Sequence, residues 1–285
     1  MVLTMFLLGL VYVVAIVVVI SAGASVAAVL VIAALFFGVQ LFASDKIALR
    51  AMAARPVSPA DAPELHTIVD HLCMQANVPK PQVAIVESRM PNAFALGRTQ
   101  KTATVCATTG LLALLSPVEL EAVLAHELSH IVNHDAMVMT VASFLASISA
   151  ILVRFGFIFG GGRGFGRGRN QGSLFVVVLL VSIAVYAISF VLLRALSRYR
   201  EYAADRGSAI ITGRPSALSS ALLKITGRID LIPTRDLRAA TQMNALFIIP
   251  AGAKTAMSSV FATHPPVEKR IEALNRLEAQ LQGTK

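Results

Sequence analysis

Residues 124–135 read LAHELSHIVNHD, with histidines at 126, 130 and 134 and a glutamate directly after the first. Two histidines four residues apart on a helix differ by about 40° around its axis and about 6 Å along it, so both imidazoles reach one ion. Glu127 is turned aside from that pair, where it serves as a general base for water rather than as a ligand. HExxH on a helix therefore points to a hydrolytic zinc site held by His126 and His130. His134 lies about 12 Å beyond His126 on a continuous helix, too far to share a tetrahedral ion whose bonds are about 2 Å long. The HExxHxxGxxH pattern recruits a distant histidine by turning at its glycine. Here Asn133 takes the glycine position and Ala136 the histidine position. His134 is expected to be a polar residue where the helix nears a membrane surface.

A further ligand must come from elsewhere. The glutamates after the motif are Glu201, Glu268, Glu272 and Glu278. The last three stand among Lys and Arg in an amphipathic stretch, which reads as a solvated helix face. Glu201 sits in RYREYAADRGSA, with Asp205 one helical turn later. Glu201 can face the metal while Asp205 accepts a proton from a ligand histidine and fixes its tautomer.

These side chains need elements to hold them. The HExxH stretch starts at SPVE, where Ser116 is an N-cap, Pro117 the first helical residue and Glu119 the reciprocal partner of a capping box, so it lies on a helix. Upstream, SPADAPELHTIVDHLCMQANV has helical spacing and is stopped by Pro79 and Pro81. QVAIVES, NAFALG and TATVCAT follow as three short β-prone runs.

The remainder of the chain is greasy. It is 56% hydrophobic and 14% charged, with a mean hydropathy of +0.71, against about a quarter charged in soluble domains. Residues 2–20, 24–42, 138–159 and 174–193 are each long and apolar enough to span a bilayer. No basic n-region precedes the first, which speaks against a cleaved signal peptide. The chain thus divides into a transmembrane hairpin (residues 1–43), a first catalytic part (44–136), a second hairpin with a Gly/Arg-rich loop (137–197) and a second catalytic part (198–285). A closed second hairpin returns the chain to the face it left and brings Glu201 back to the HExxH helix. Near the segment ends on that face stand Lys46, Arg50, Arg55, Arg194, Arg198, Arg200 and Arg206; Arg154, Arg163, Arg167 and Arg169 lie toward the other side. The balance favours a cytosolic site.

The net charge of +9 suits anionic lipid headgroups. No nucleic-acid motif accompanies it, so nucleic acid is not an expected partner. Cys73 and Cys106 form neither a disulfide framework nor a CxxC metal site, and read as buried thiols in a reducing compartment.

AHELSHIVNHD, SRYREYAADRGSA, THPPVEKRI, PNAFALG and TTGLL together resemble the HtpX family of membrane zinc endopeptidases, relatives of the CAAX prenyl proteases. The resemblance implies a mainly α membrane protein with four candidate transmembrane helices and a thermolysin-like (gluzincin) catalytic domain containing a small β-sheet. It implies one Zn2+ per chain on His126, His130 and Glu201, with Glu127 as the base. It also implies quality control of damaged membrane proteins or unfolded polypeptides under stress, from the cytoplasmic side of a bacterial inner membrane. Asn92, Ala93, Phe94 and Ala95 would form an edge strand to which an extended substrate adds. His264 and Arg270 would support Asp205 or stabilise the oxyanion; a helix-entry histidine and a surface arginine are the plain alternative. Two other functions compete: a CAAX-type prenyl protease, against which the four-segment layout argues, and an inactive zinc-binding membrane scaffold, which has no need of Glu127. Oligomeric state is not indicated.

Overall fold

The computed structural model describes residues 2–21, 26–159, 171–230 and 265–283; His264 and the loop arginines Arg163, Arg167 and Arg169 lie outside them. In chain order the elements are α1 (Val2–Ser21), α2 (Val26–Ala51), β1 (Arg55–Pro56), α3 (Pro63–Ala76), β2 (Gln82–Val86), β3 (Ala93–Leu96), β4 (Thr104–Thr108), α4 (Thr109–Leu114), α5 (Pro117–Val132), α6 (Asp135–Phe159), α7 (Gln171–Thr212), α8 (Pro215–Asp230) and α9 (Val267–Leu281). Among the described residues the protein is mostly helical, with a small mixed sheet. It divides into two compact units, Met1–Ser44 with Val138–Leu196, and Asp45–Met137 with Ser197–Lys285.

In the first unit Leu8 of α1 is buried with Ala142 of α6 and Leu196 of α7. Phe37 of α2 meets Phe144 of α6 edge-on at 5.0 Å, and Gln40 Nε2 donates to Ser143 Oγ at 3.1 Å. Meanwhile Phe6, Leu10, Val17, Leu35, Val39 and Leu180 are exposed. Helices that turn large apolar side chains outward in this number are matched to lipid rather than water. By length and hydropathy one stretch, Leu179–Thr212, qualifies as a membrane crossing among the described residues. Its charges begin at Arg194, so the apolar window lies at its front. Helices occupy the other three expected spans as well, but four crossings are not established by them. Both α2 and α7 outrun their apolar segments, α2 to Ala51 and α7 to Thr212, so Glu201 and Asp205 share one unbroken helix with an apolar stretch.

The second unit is built on the sheet, in the order β1-β2-β4-β3, with β2 and β4 parallel and the outer pairs antiparallel. The three β-prone runs are strands, and the two-residue β1 adds a fourth. Alternation along them feeds two cores. Val83, Ala93, Val105 and Ala107 pack with Leu72 of α3 and Val123 and Leu128 of α5. Ala84, Val86, Phe94 and Cys106 face the other way, against Leu49 and Met52 around the end of α2. Both faces are covered, which explains strands without a polar side.

The start of α5 is fastened from two directions. Glu119 Oε2 accepts from the Ser116 N–H at 2.9 Å, closing the capping box, and from Lys224 Nζ of α8 at 2.8 Å, while Oε1 accepts from Ser220 Oγ at 2.7 Å. Burial opposes ionisation of Glu119, but the donors Lys224, Ser220 and Ser116 outweigh it and lower the carboxyl to about 2. A depressed folded-state value stabilises above the unfolded carboxyl's ordinary 4.5 and is lost as pH falls toward about 2. Lys224 is half exposed, so water screens the pair and Glu119→Gln should cost about 1 kcal/mol at pH 7. Unfolding midpoints of the two proteins should converge when measured again at pH 3; an equal gap at both pH values would contradict this account.

Candidate metal centre

α5 is a core helix, buried from Ala122 to Ser129, and α7 lies close against it. Ser208 Oγ donates to the Ala122 carbonyl at 2.7 Å. A Cβ at Gly207 would collide with the side chain of Ser129, so glycine is what permits the approach. Back along α7 from Ser208, Asp205 lies about one turn and Glu201 about two turns away, opposite His126 and His130.

His126 Nε2 lies 3.7 Å from Glu201 Oε2, and His130 Nε2 lies 3.7 Å from Glu201 Oε1. One donor atom from each of the three residues falls within 4.8 Å of the other two. A tetrahedral ion with bonds of about 2 Å wants its ligand atoms roughly 3.3 Å apart. The two histidine–Glu201 separations of 3.7 Å approach that spacing, and the cluster as a whole, spread over no more than 4.8 Å, would draw together on an ion. The opposite ring nitrogens are both held by carboxylates: His126 Nδ1 is 2.9 Å from Asp205 Oδ1, and His130 Nδ1–H donates to Asp135 Oδ2 at 2.6 Å. Each histidine is thereby fixed with Nε2 toward Glu201, the tautomer a metal requires. The residues fit a metal ion.

Behind Asp205 stands Arg270 of α9, fully buried. Its Nε and Nη2 donate to the two Asp205 oxygens at 2.9 and 2.6 Å, and Nη1 is 3.6 Å from Glu201 Oε2. The surface-arginine alternative does not describe it. Its guanidinium contacts two site carboxylates, Asp205 and Glu201.

Glu127 is 4% exposed. Burial pushes its carboxyl up to about 7, with Glu201 adding to the effect and the charge of His130, the Ala95 N–H and Arg270 opposing it. The Ala95 N–H donates to Glu127, which ties the base to β3. Among the described residues β3 pairs with β4 alone and forms the sheet edge. The Thr108 N–H donates to the Asn92 carbonyl at 2.9 Å. In an antiparallel ladder the bonds alternate, so the main-chain groups of Ala93 and Ala95 face away from β4. Asn92 is buried, its N–H donating to Thr108 Oγ1 at 2.9 Å. The Phe94 side chain belongs to the opposite core. Gly97 ends the strand with φ of +139°, where a Cβ would strike the backbone of Ala103.

His134 is exposed and outside the cluster, but not for the reason expected. α5 stops at Val132, and His134 adopts a left-handed φ of +55° with its Nδ1–H donating to the Val132 carbonyl. The helix is interrupted, not continuous. That interruption swings Asp135, which helix periodicity does not mark, back to His130; Arg200, expected only as a charge near a segment end, has its Nε 3.1 Å from Asp135 Oδ2. A five-residue offset is no helix-face spacing; the overlooked signal was the HD pair standing just beyond a helix end.

Residues 59–278 match the family described as Peptidase family M48. The chain belongs to that family, and is a membrane metalloprotease of its HtpX group. Its relatives include a Protease HtpX homolog of Moorella thermoacetica, 49% identical over 99% of this chain and 94% of that protein. Protease HtpX homolog 1 of Streptomyces coelicolor is 52% identical over 98% and 91% of the two chains. Protease HtpX homolog 2 of Methanosarcina acetivorans is 50% identical over 99% and 95%. The fold is similar to the crystal structure of S. mikatae Ste24p, with a TM-score of 0.54 and 18% identity, over 94% of this chain and 62% of that one.

Proposed function

We propose that the metal is zinc, one per chain, and that this thermolysin-like site cuts misfolded membrane proteins or unfolded polypeptides at the cytoplasmic face of a bacterial inner membrane. The observation that carries the reading is the convergence of His126, His130 and Glu201 with Glu127 beside them. Zinc on those three residues would polarise the scissile carbonyl and the attacking water as a Lewis acid. Glu127 takes the proton of that water and returns it to the leaving amine. Burial leaves that carboxylate poorly solvated, which raises its affinity for the proton. An extended substrate adding to the outward main-chain groups of Ala93 and Ala95 would lie beside Glu127. Asp205 and Arg270 hold His126 during turnover. His264 remains a candidate helper through its place in THPP.

The exposed apolar faces of α1, α2 and α7 support a multi-pass membrane setting, with four spans. A cytoplasmic site draws on the arginines and lysine clustered near the catalytic ends of the apolar segments.

Purified protein in detergent should cleave unfolded casein, lose that activity to a zinc chelator, and regain it with added zinc. A prenylated C-terminal peptide in the same assay separates this reading from the CAAX type. Cleavage that survives exhaustive chelation would overturn the metal reading, and cleavage of the prenylated peptide alone would overturn the substrate class.

A further inference from the structure

Asp135 is 3% exposed and opens α6, yet its carboxylate looks back to α5 and across to α7. Its Oδ2 meets both His130 Nδ1, at 2.6 Å, and Arg200 Nε, at 3.1 Å. A buried carboxylate needs an opposite charge, and Arg200 supplies it from the position directly before Glu201. This repeats the arrangement on the other histidine, where Asp205 stands between His126 and Arg270. Each histidine of the cluster is therefore backed by an aspartate, and each aspartate by an arginine. The first set is drawn together by the packing of three helices. The second depends on one turn. Were α5 to run on, Asp135 would stand about 140° around the axis from His130; the left-handed His134 is what reverses the chain.

We propose that Asp135, charged against Arg200, is a positioning residue that aims His130 Nε2 at the metal, and that the turn at Asn133 and His134 exists to deliver it. The inference rests on the ligand set proposed above. The competing explanation is that Asp135 only favours the first turn of α6, as an acid at any helix start does.

The test uses the full chain carrying Glu127→Gln, so that self-cleavage plays no part. Zinc affinity is read by competition with a chromophoric chelator, and geometry by the visible spectrum of the cobalt-loaded protein. Asp135→Ser preserves a good helix start but removes the carboxylate; it should weaken zinc binding about 10–100-fold and change the cobalt bands. The near-isosteric Asp135→Asn keeps an acceptor for His130 and should lose about tenfold or less, still with altered cobalt bands. Arg200→Ala should weaken zinc, and Arg200→Lys should recover part of the loss. Wild-type affinity and spectrum in Asp135→Ser would overturn the proposal, and should that variant fail to fold, wild-type affinity and spectrum in Asp135→Asn would do so instead. A His126→Ala control keeps the two readings apart. If it retains zinc, the ligand set is wrong; if it loses zinc while the Asp135 variants do not, only the positioning role is.

Discussion

Glu127→Gln protein should bind zinc as the wild type does and cleave unfolded substrate about 10²–10⁴-fold more slowly. The side chain sits on α5 next to His126 but accepts from the Ala95 N–H rather than joining the cluster of His126, His130 and Glu201. Glutamine keeps its size and its acceptor for Ala95, so neither the edge strand nor the ligands need move. What it cannot do is take a proton. Metal content by elemental analysis and casein cleavage on the same preparation give the two halves of the expectation. Glu201→Ala provides the contrast, since it should lose both. Rapid, zinc-dependent proteolysis by pure Glu127→Gln protein would remove Glu127 from the role of base.

Arg270→Met should be the most damaging substitution for folding, destabilising the catalytic unit by about 3–5 kcal/mol. Arg270 is fully buried and is the cation on which two buried carboxylates, Asp205 and Glu201, rely. Removing it leaves Asp205 charged, desolvated and facing only an imidazole. Replacing both members of a buried pair is far cheaper than replacing one, so Arg270→Met with Asp205→Asn should recover much of the lost stability. It should not recover zinc affinity to the wild-type level, because an amide backs His126 less well than a carboxylate. Chemical unfolding in detergent follows the first quantity and chelator competition the second. A single variant as stable as the wild type would mean that the buried cation carries no structural weight.

The local parts of the site could be read from the sequence because they follow helix periodicity. His126, Glu127 and His130 are spaced for one face and its flank, and the Ser116–Glu119 box announces the start of their helix. Glu201 could be picked out because the other downstream glutamates sit on a face of α9 marked by Lys and Arg, and Asp205 follows it by one turn. The β-prone residues of QVAIV, NAFAL and TATVC gave away the strands but not their order, which depends on how the two faces are covered by α5 and the end of α2. The reading failed where periodicity itself failed. Treating 126–134 as one continuous helix excluded His134 correctly as a cluster member but hid the turn, and with it Asp135. Arg200 was counted among charges near a segment end, since nothing local distinguishes a buried guanidinium from an exposed one. The same is true of Arg270, whose fate is decided by a carboxylate on another helix.

The split of the cluster between α5 and α7 also bears on how the molecule is made. Synthesis delivers His126, Glu127 and His130 first. Glu201 follows His130 by 71 residues, and Arg270 comes 69 residues after that. Throughout that interval a nascent chain carries Glu127 but lacks Glu201, the third member of the proposed ligand set, and the cation that steadies it. A translation product interrupted there is a protein with the signature of a protease and no means of acting as one. On the proposed ligand set, the order in which the residues are added is enough to keep the site incomplete until Glu201 has been made.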